Sequence, residues 1–153
     1  PPRRYVYMES PYFLPTEPVL FAMRTAALAG VDVKLMIPLH CDARIVEWAS
    51  RSYVLETVSS GVKIFFYKTG FNHSKLLVSL ATCGSTNVDF RSFENNFESN
   101  IFFYDTEMAL RMKEIFFKDL QDCLPIDQVT DIVHRPFFKR LWESIIRLLS
   151  PLL

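Results

Sequence analysis

Strand-like and helix-like segments alternate along this chain, and the alternation constrains its fold more than any other feature. Runs of β-branched and aliphatic residues at 31–37 and 62–67 each follow a helical pattern, at 17–29 and at about 42–60. Helices that cross between strands in this way typically cover a sheet. The chain is therefore predicted to form an α/β layered fold with a mixed central sheet flanked by helices.

Capping and turn residues set the predicted limits of these elements. Thr16 and Asp42 are predicted to cap the two helices, and Gly30 and Gly61 to end them. The remaining predicted elements are a strand at 5–9, a proline-containing loop at 10–15, a strand within 94–104 and a surface helix at about 106–123.

Composition narrows the classes of function. Seventeen basic and seventeen acidic residues give zero formal net charge, which argues against a nucleic-acid partner. No uncharged apolar run is long enough to span a bilayer, so the chain alone is predicted to be soluble. Cys41, Cys83 and Cys123 have no paired or metal-like spacing and are interpreted as thiols of a reducing compartment. His40 and His134 are interpreted as loop or surface residues.

Two pairs of polar residues define the candidate site. His73 and Lys75 lie two residues apart in a strand-like run, and Ser85 and Asn87 lie two apart after another such run. Side chains in a strand alternate between its faces, so each pair is expected to point to one side. Neighbouring strands would bring these groups together without any cluster of metal ligands. This set predicts a phosphodiester site that uses neither a metal nor a cofactor.

The connection between the two runs lacks ordinary turn residues. Residues 76–83 read LLVSLATC, without the Gly, Pro, Asn or Asp that a tight hairpin favours. This stretch is interpreted either as one long strand or as a hairpin whose turn residues are absent from the sequence. The second interpretation is the preferred one.

The five residues His73, Lys75, Gly84, Ser85 and Asn87 resemble the second HKD motif of the phospholipase D superfamily in type and order. The interval from Lys75 to Gly84 is three residues shorter than the family pattern, and the aspartate of the motif has no counterpart here. The shortfall coincides with the missing turn.

Within the superfamily, the chain resembles bacterial cardiolipin synthases over nearly its whole length. The phrases that carry this likeness are ESPYFLP at 9–15, AGVDV at 29–33, ASRSY at 49–53, NVDFRSFENNFE at 87–98 and RLLSPLL at 147–153. Such enzymes have two HKD motifs preceded by membrane segments. This chain has one motif and begins as an interior cut would, so it resembles their C-terminal half.

The resemblance implies transfer of a phosphatidyl group between two phosphatidylglycerol molecules through a phosphohistidine, with release of glycerol. Such a transfer requires charge stabilisation, a nucleophile and a proton donor. Lys75 would supply positive charge, and Ser85 and Asn87 hydrogen bonds, to the phosphate oxygens. Glu98 is the expected partner that fixes the tautomer of His73. A second HKD half, from the same polypeptide or from a homodimer mate, would supply the nucleophile and leave His73 as acid and then base.

Four further residues are predicted to contact the substrate. Tyr12 and Phe13 follow a strand end, where α/β folds place ligands, and are expected either to line a lipid channel or to pack in the protein. Gly84 belongs to the motif itself. Arg91 is expected to meet a phosphate or to pair with an acid.

The chain is divided into a catalytic domain at 1–134 and a C-terminal amphipathic helix at 135–153. Apolar residues at helical spacing are mixed with Arg and Lys in this helix, so it either closes the core or lies on an anionic membrane surface. The expected location is the cytoplasmic face of the bacterial inner membrane. Two other functions stay open, a homodimeric phospholipase D-like nuclease and an inactive lipid-binding half-domain.

Overall fold

A seven-stranded mixed sheet forms the centre of the protein in a computed structural model that describes residues 4–79, 81–149 and 151. The strands are β1 (Tyr5–Glu9), β2 (Phe13–Leu14), β3 (Asp32–Pro38), β4 (Lys63–Tyr67), β5 (Leu76–Val78), β6 (Ala81–Gly84), β7 (Val88–Asp89), β8 (Asn100–Phe103) and β9 (Cys123–Pro125). The helices are α1 (Glu17–Leu28), α2 (Arg44–Val58), α3 (Thr106–Asp119), α4 (Thr130–Val133) and α5 (Phe137–Arg147). The order across the large sheet is β8-β6-β5-β1-β3-β4-β9, and β2 pairs with β7 in a separate small sheet.

Parallel pairing at the centre of the sheet follows from the two helical crossovers. β1 pairs in parallel with β3, and β3 with β4, while α1 and α2 make the connections. Parallel neighbours require a long crossover of this kind. β5, β6 and β8 extend the sheet in antiparallel fashion on one side, and β9 does so on the other. The predicted α/β fold with a mixed central sheet is confirmed.

Each face of the sheet carries its own core. On one face Met8 packs in a cluster with Leu20 of α1 and Val54 of α2. On the other face the neighbouring Tyr7 stacks on Phe116 of α3, with ring centroids 5.0 Å apart. Because side chains alternate along a strand, one residue of β1 faces α1 and α2 and the next faces α3. The site is therefore built on a sheet that is buried on both sides.

Helix capping differs from the prediction. Asp42 does not cap α2, which begins at Arg44 after Ala43 and has no side-chain cap. Both carboxylate oxygens of Asp42 instead accept the hydroxyl of Tyr12, at 3.0 Å. Thr16 occupies the cap position of α1, but its side chain makes no capping bond. A residue suited to capping was thus drawn into a tertiary contact.

Two strands lie where the sequence predicts none. β2 falls inside the proline-containing loop at 10–15 and pairs with β7, and β9 follows α3 and pairs with β4. Strands of two or three residues are too short to show a hydrophobic period, so patterning alone misses them.

The two runs of the candidate site pair as a hairpin. β5 and β6 are antiparallel, with Leu76 opposite Cys83. One long strand is therefore the wrong interpretation of this stretch. Ser79 and position 80 connect the strands, and position 80 lies outside the described residues. The absence of further turn residues from this sequence stays a prediction.

Helix α5 covers the middle of the predicted C-terminal helix and packs on α2. Its buried residues are Glu143 and Ile146, so most of its apolar side chains do not contribute to the core. No helix in the described ranges is long and apolar enough to cross a membrane.

The cysteines and the remaining histidines lie apart from the candidate site. Cys41 and Cys123 are partly buried free thiols, and burial raises the pKa of each to about 12. Such thiols stay protonated and unreactive near neutral pH. The side chain of Cys83 lies outside what the structure describes. His40 and His134 are exposed, as the sequence predicts.

Candidate active site

Three segments meet at the edge of the sheet where the parallel strands end. They are the residues after β1, the segment at 71–75 before β5, and the stretch from the end of β6 to β8. Ser10 joins the first to the third: its hydroxyl donates to the Tyr12 carbonyl at 2.7 Å and accepts the Val88 amide at 2.9 Å. Ligands of α/β sheets commonly bind at this edge, because loops converge there.

His73 and Lys75 lie on the same side of the chain, on an extended segment just before β5 rather than inside a strand. The Nζ atom of Lys75 is 3.0 Å from Nδ1 and 3.3 Å from Nε2 of His73. It also donates to the His73 carbonyl at 3.0 Å. Partial burial lowers the pKa of Lys75, and the charge of Glu98 opposes that shift. An ammonium and an imidazole thus share one location.

The opposite wall of the site is a hydrogen-bonded network around Glu98. Its carboxylate accepts the hydroxyl of Ser85 and, at 2.9 Å, that of Ser92. These two bonds are the main reason that the pKa of Glu98 is lowered. The Ser92 hydroxyl also accepts the backbone amide of Asn87, at 3.2 Å. The predicted motif residues Ser85 and Asn87 are therefore linked to each other through Glu98 and Ser92.

The predicted contact between Glu98 and His73 is not formed. Among the described residues, the His73 ring lies beside Lys75, Phe71 and Tyr12, whereas Glu98 is bound by the two serines. Glu98 interacts with the histidine side of the site through the charge of Lys75. Ser92 is a site residue that the sequence did not single out, although it lies inside the FRSFENNFE phrase.

Of the two aromatic residues predicted to line the site, the structure brings only Tyr12 to it. The Tyr12 ring meets that of His73 edge-on, with centroids 6.5 Å apart. Burial and the bond to Asp42 raise the pKa of Tyr12 to about 12, so its hydroxyl stays protonated. Phe13 is fully buried in the core against Tyr53, so packing is the alternative that the structure shows for it.

Two cavities meet at Asn87. The first, of about 310 Å³, lies between Tyr12, Asn87 and Arg91. The second, of about 210 Å³, has Lys75 and Asn87 among apolar walls that include Leu77, Val88, Phe93 and Phe102. The side chain of Asn87 separates them, and its Oδ1 atom is buried without a hydrogen-bond partner. A polar and a mostly apolar space thus adjoin the same cationic group.

Gly84 ends β6 opposite Asn100, and its burial lies outside what the structure describes. Arg91 lines the polar cavity, where a phosphate oxygen could reach it. No group of three or more His, Cys, Asp or Glu residues within the described ranges could hold a metal ion.

Glu9 is a buried carboxylate that sequence reasoning missed. It is the last residue of β1, is 2% exposed, and lines the apolar cavity together with Lys75. Its Oε2 atom accepts the Asn72 amide at 3.4 Å, while Oε1 is buried without a partner. Burial raises the pKa of Glu9, against the lowering effect of hydrogen bonds from Ser74 and Asn72. An acidic residue at the end of an otherwise apolar strand was the signal that could have identified it.

Comparison with known proteins supplies the context of this geometry. The family described as "Cardiolipin synthase, PLD-like domain" matches residues 2–120. The chain is 44% identical over 154 residues to a cardiolipin synthase of Clostridium perfringens, which covers 99% of this chain and 32% of that protein. It is 46% identical to a cardiolipin synthase of Geobacillus thermodenitrificans, over 99% of this chain and 30% of that protein. The chain therefore spans about a third of the length of these relatives.

The matched stretch is longer than the chain itself. It contains 154 residues against 153 here, so these relatives have at least one position without a counterpart in this sequence. This difference has the same sign as the shortening between Lys75 and Gly84.

Two solved structures share the fold. Nuc from Salmonella typhimurium, a phospholipase D family member, is 18% identical with a TM-score of 0.68, covering 81% of this chain and 83% of Nuc. Phosphatidylserine synthase from Haemophilus influenzae is 13% identical with a TM-score of 0.73, covering 99% of this chain and 42% of that protein. The family match and the identity to the curated relatives show that this chain belongs to the phospholipase D-like cardiolipin synthase family.

Proposed function

We propose that this chain is one half-site of a phosphatidyltransferase that makes cardiolipin from two phosphatidylglycerol molecules. The observation that carries the proposal is that Lys75 and Asn87 line one cavity, with His73 in contact with the Lys75 ammonium. This arrangement offers a cation, an amide and an acid–base group to one anion. Membership of the cardiolipin synthase family supports the choice of substrate.

The reaction follows from these groups and a second histidine. That histidine, from another HKD half, attacks the phosphorus of the first phosphatidylglycerol, so a P–N bond forms while the P–O bond to glycerol breaks. His73 protonates the departing glycerol oxygen and then removes the proton from the hydroxyl of the second lipid. That oxygen attacks phosphorus and releases the first histidine. Lys75, Asn87 and Ser85 stabilise the negative charge on the phosphate oxygens.

The second half comes from the same polypeptide or from a homodimer mate. The relatives are about three times as long as this chain, which leaves room for a second HKD motif within one polypeptide. A single imidazole cannot attack phosphorus and protonate the same leaving group at once. This chain alone is therefore expected to be inactive unless it dimerises.

The proposed cavities suit a lipid headgroup and its glycerol. The polar cavity beside Tyr12 and Arg91 would take the phosphate and hydroxyl groups, and the apolar cavity beside Phe93 and Phe102 the adjoining carbon skeleton. We place the complete protein at the cytoplasmic face of the inner membrane, where its substrate lies. The proposed chemistry needs no metal, cofactor or nucleic acid.

A chimera tests the proposal. The chain replaces the matched third of the Clostridium perfringens cardiolipin synthase, and cardiolipin formed from phosphatidylglycerol is measured with and without His73→Ala. We expect the unsubstituted chimera to make cardiolipin and the substitution to lower the rate about a thousandfold or more, because acid–base catalysis is lost. His134→Ala, at another exposed histidine, is the matched control and should keep the rate within about twofold. Full activity of the His73→Ala chimera would remove His73 from the reaction.

A further inference from the structure

Helix α5 packs on the protein through its polar side. Glu143 is 2% exposed and forms a buried ion pair with Arg135, the residue just before the helix. Near the other end, Arg147 pairs with Glu56 of α2 at 2.7 Å and lies over the ring of Tyr53. An amphipathic helix of a water-soluble protein normally does the reverse and buries its apolar stripe.

The apolar side of α5 consequently faces outward. Its residues lie within an arc of about 100° at helical spacing, on the side away from Glu143. Each of them is between 47% and 81% exposed: Phe137, Phe138, Leu141, Ile145 and Leu148. Trp142 lies at the border of this arc, where its ring meets that of Trp48 of α2 edge-on at 6.5 Å. We call these five residues the α5 ridge.

The charges that flank the α5 ridge are basic. Lys139 and Arg140 are exposed, one on either border of the arc. Glu143 is the only acidic residue of α5, and it is buried in its pair with Arg135. The exposed charge of the helix is therefore positive, which complements an anionic surface.

The α5 ridge begins at the end of the molecule that holds the candidate site. Trp142 contacts Trp48, and five residues later Arg147 contacts Glu56, so α5 and α2 run in the same direction. The start of α2 lies next to Asp42, which binds Tyr12 of the site. The first residues of the ridge therefore lie toward the same end as the site.

We propose that the α5 ridge lies in the headgroup region of an anionic bilayer, with the phenylalanine rings inserted and Lys139 and Arg140 on lipid phosphates. A protruding apolar ridge with aromatic residues and cationic borders is the composition of helices that lie in a membrane interface. The buried ion pair fixes the helix on α2, so binding would also orient the molecule. That orientation serves catalysis only if the proposed lipid-transfer function holds, whereas the binding itself does not depend on it.

Vesicle binding tests the ridge without any chemistry. The 153-residue chain is sedimented with phosphatidylcholine vesicles that contain phosphatidylserine, an anionic lipid outside the proposed reaction. The test variant is Phe138→Ser with Leu148→Ser. The matched control is Phe21→Ser with Leu28→Ser on α1, where both side chains are equally exposed. We expect the test variant to weaken binding about tenfold or more and the control to change it less than twofold.

Further arms separate the possible outcomes. Lys139→Glu with Arg140→Glu should also weaken binding about tenfold or more, and pure phosphatidylcholine should bind poorly. Lys75→Ala should leave binding unchanged, so a failure of the proposed catalytic site cannot produce the same result. Equal loss in the ridge and control variants would overturn the proposal. So would a ridge substitution that dissociates an oligomer in solution while leaving vesicle binding intact, since the ridge would then contact protein.

Discussion

Two regions of this molecule bury a carboxylate, and they do so in opposite ways. At the junction of α2 and α5, Glu143 forms a buried ion pair with Arg135. At the edge of the candidate site, Glu9 is just as buried but has only hydrogen bonds from the Asn72 and Ser74 side chains, and one of its oxygens has no partner. The first arrangement neutralises a charge, whereas the second leaves it to protonation.

The difference separates a structural carboxylate from an adjustable one. A buried ion pair fixes the position of a helix, because removing either partner leaves an uncompensated charge in a medium of low dielectric. A buried carboxyl with a raised pKa changes its charge with pH. Glu9 bonds the residues on either side of His73, so its protonation state is coupled to the geometry of the site.

The largest expected effect is at the ion pair. Glu143→Gln leaves the Arg135 guanidinium buried without its partner, and we expect it to lower the free energy of unfolding by about 3–5 kcal/mol. Chemical denaturation measures this change. Glu107→Gln removes the carboxylate of an exposed pair with Arg111 and is the control, with an expected change below about 0.5 kcal/mol. Equal effects at the two positions would mean that burial does not strengthen the role of Glu143.

The same substitution at Glu9 should act in the opposite direction. Folding raises the pKa of Glu9, so the stability associated with this group is complete below the pKa of the unfolded chain and is lost as pH rises through the folded value. Glu9→Gln should therefore stabilise the protein at pH 7, by about 1 kcal/mol, and have little effect near pH 4. Denaturation at both pH values measures it. A destabilisation that is independent of pH would show that Glu9 is ionised and paired.

The smallest effect on stability is expected at Glu98, the partly exposed carboxylate of the site. Hydrogen bonds from Ser85 and Ser92 lower its pKa, so its contribution is present above the unfolded pKa and is lost as pH falls through the folded value. Glu98→Gln should shift the thermal midpoint by about 2 °C or less at pH 7. In the chimera described above it should reduce cardiolipin formation about tenfold or more, because Ser85 loses its partner. Unchanged activity would limit Glu98 to packing of the loop.

Much of the fold could be predicted from local pattern. The alternation of strands and helices was visible because the central elements are long enough to show a period. The pairing of β2 with β7 and the contact of Asp42 with Tyr12 depend on residues about 30 to 75 positions apart. No local pattern encodes such contacts.

The candidate site was predicted more fully on one side than on the other. His73, Lys75, Ser85 and Asn87 stand in an ordered motif that the sequence displays. Glu9 was missed because its role depends on burial. The partner of Glu98 was mistaken because its distance from nearby hydroxyls cannot be known before folding. The direction of the α5 ridge was likewise open, since an amphipathic pattern does not tell which side an ion pair will anchor.

The two walls of the site differ in how firmly they are held. The wall around Glu98 is cross-linked by several side-chain bonds, whereas the His73 segment lies outside the strand ladder and has a local turn in which Ser74 donates to Asn72 at 2.9 Å. An anion that binds between them must immobilise the histidine side, and the freedom lost there subtracts from its affinity. Modest affinity of this origin favours prompt departure of a product that carries the same phosphate as the substrate.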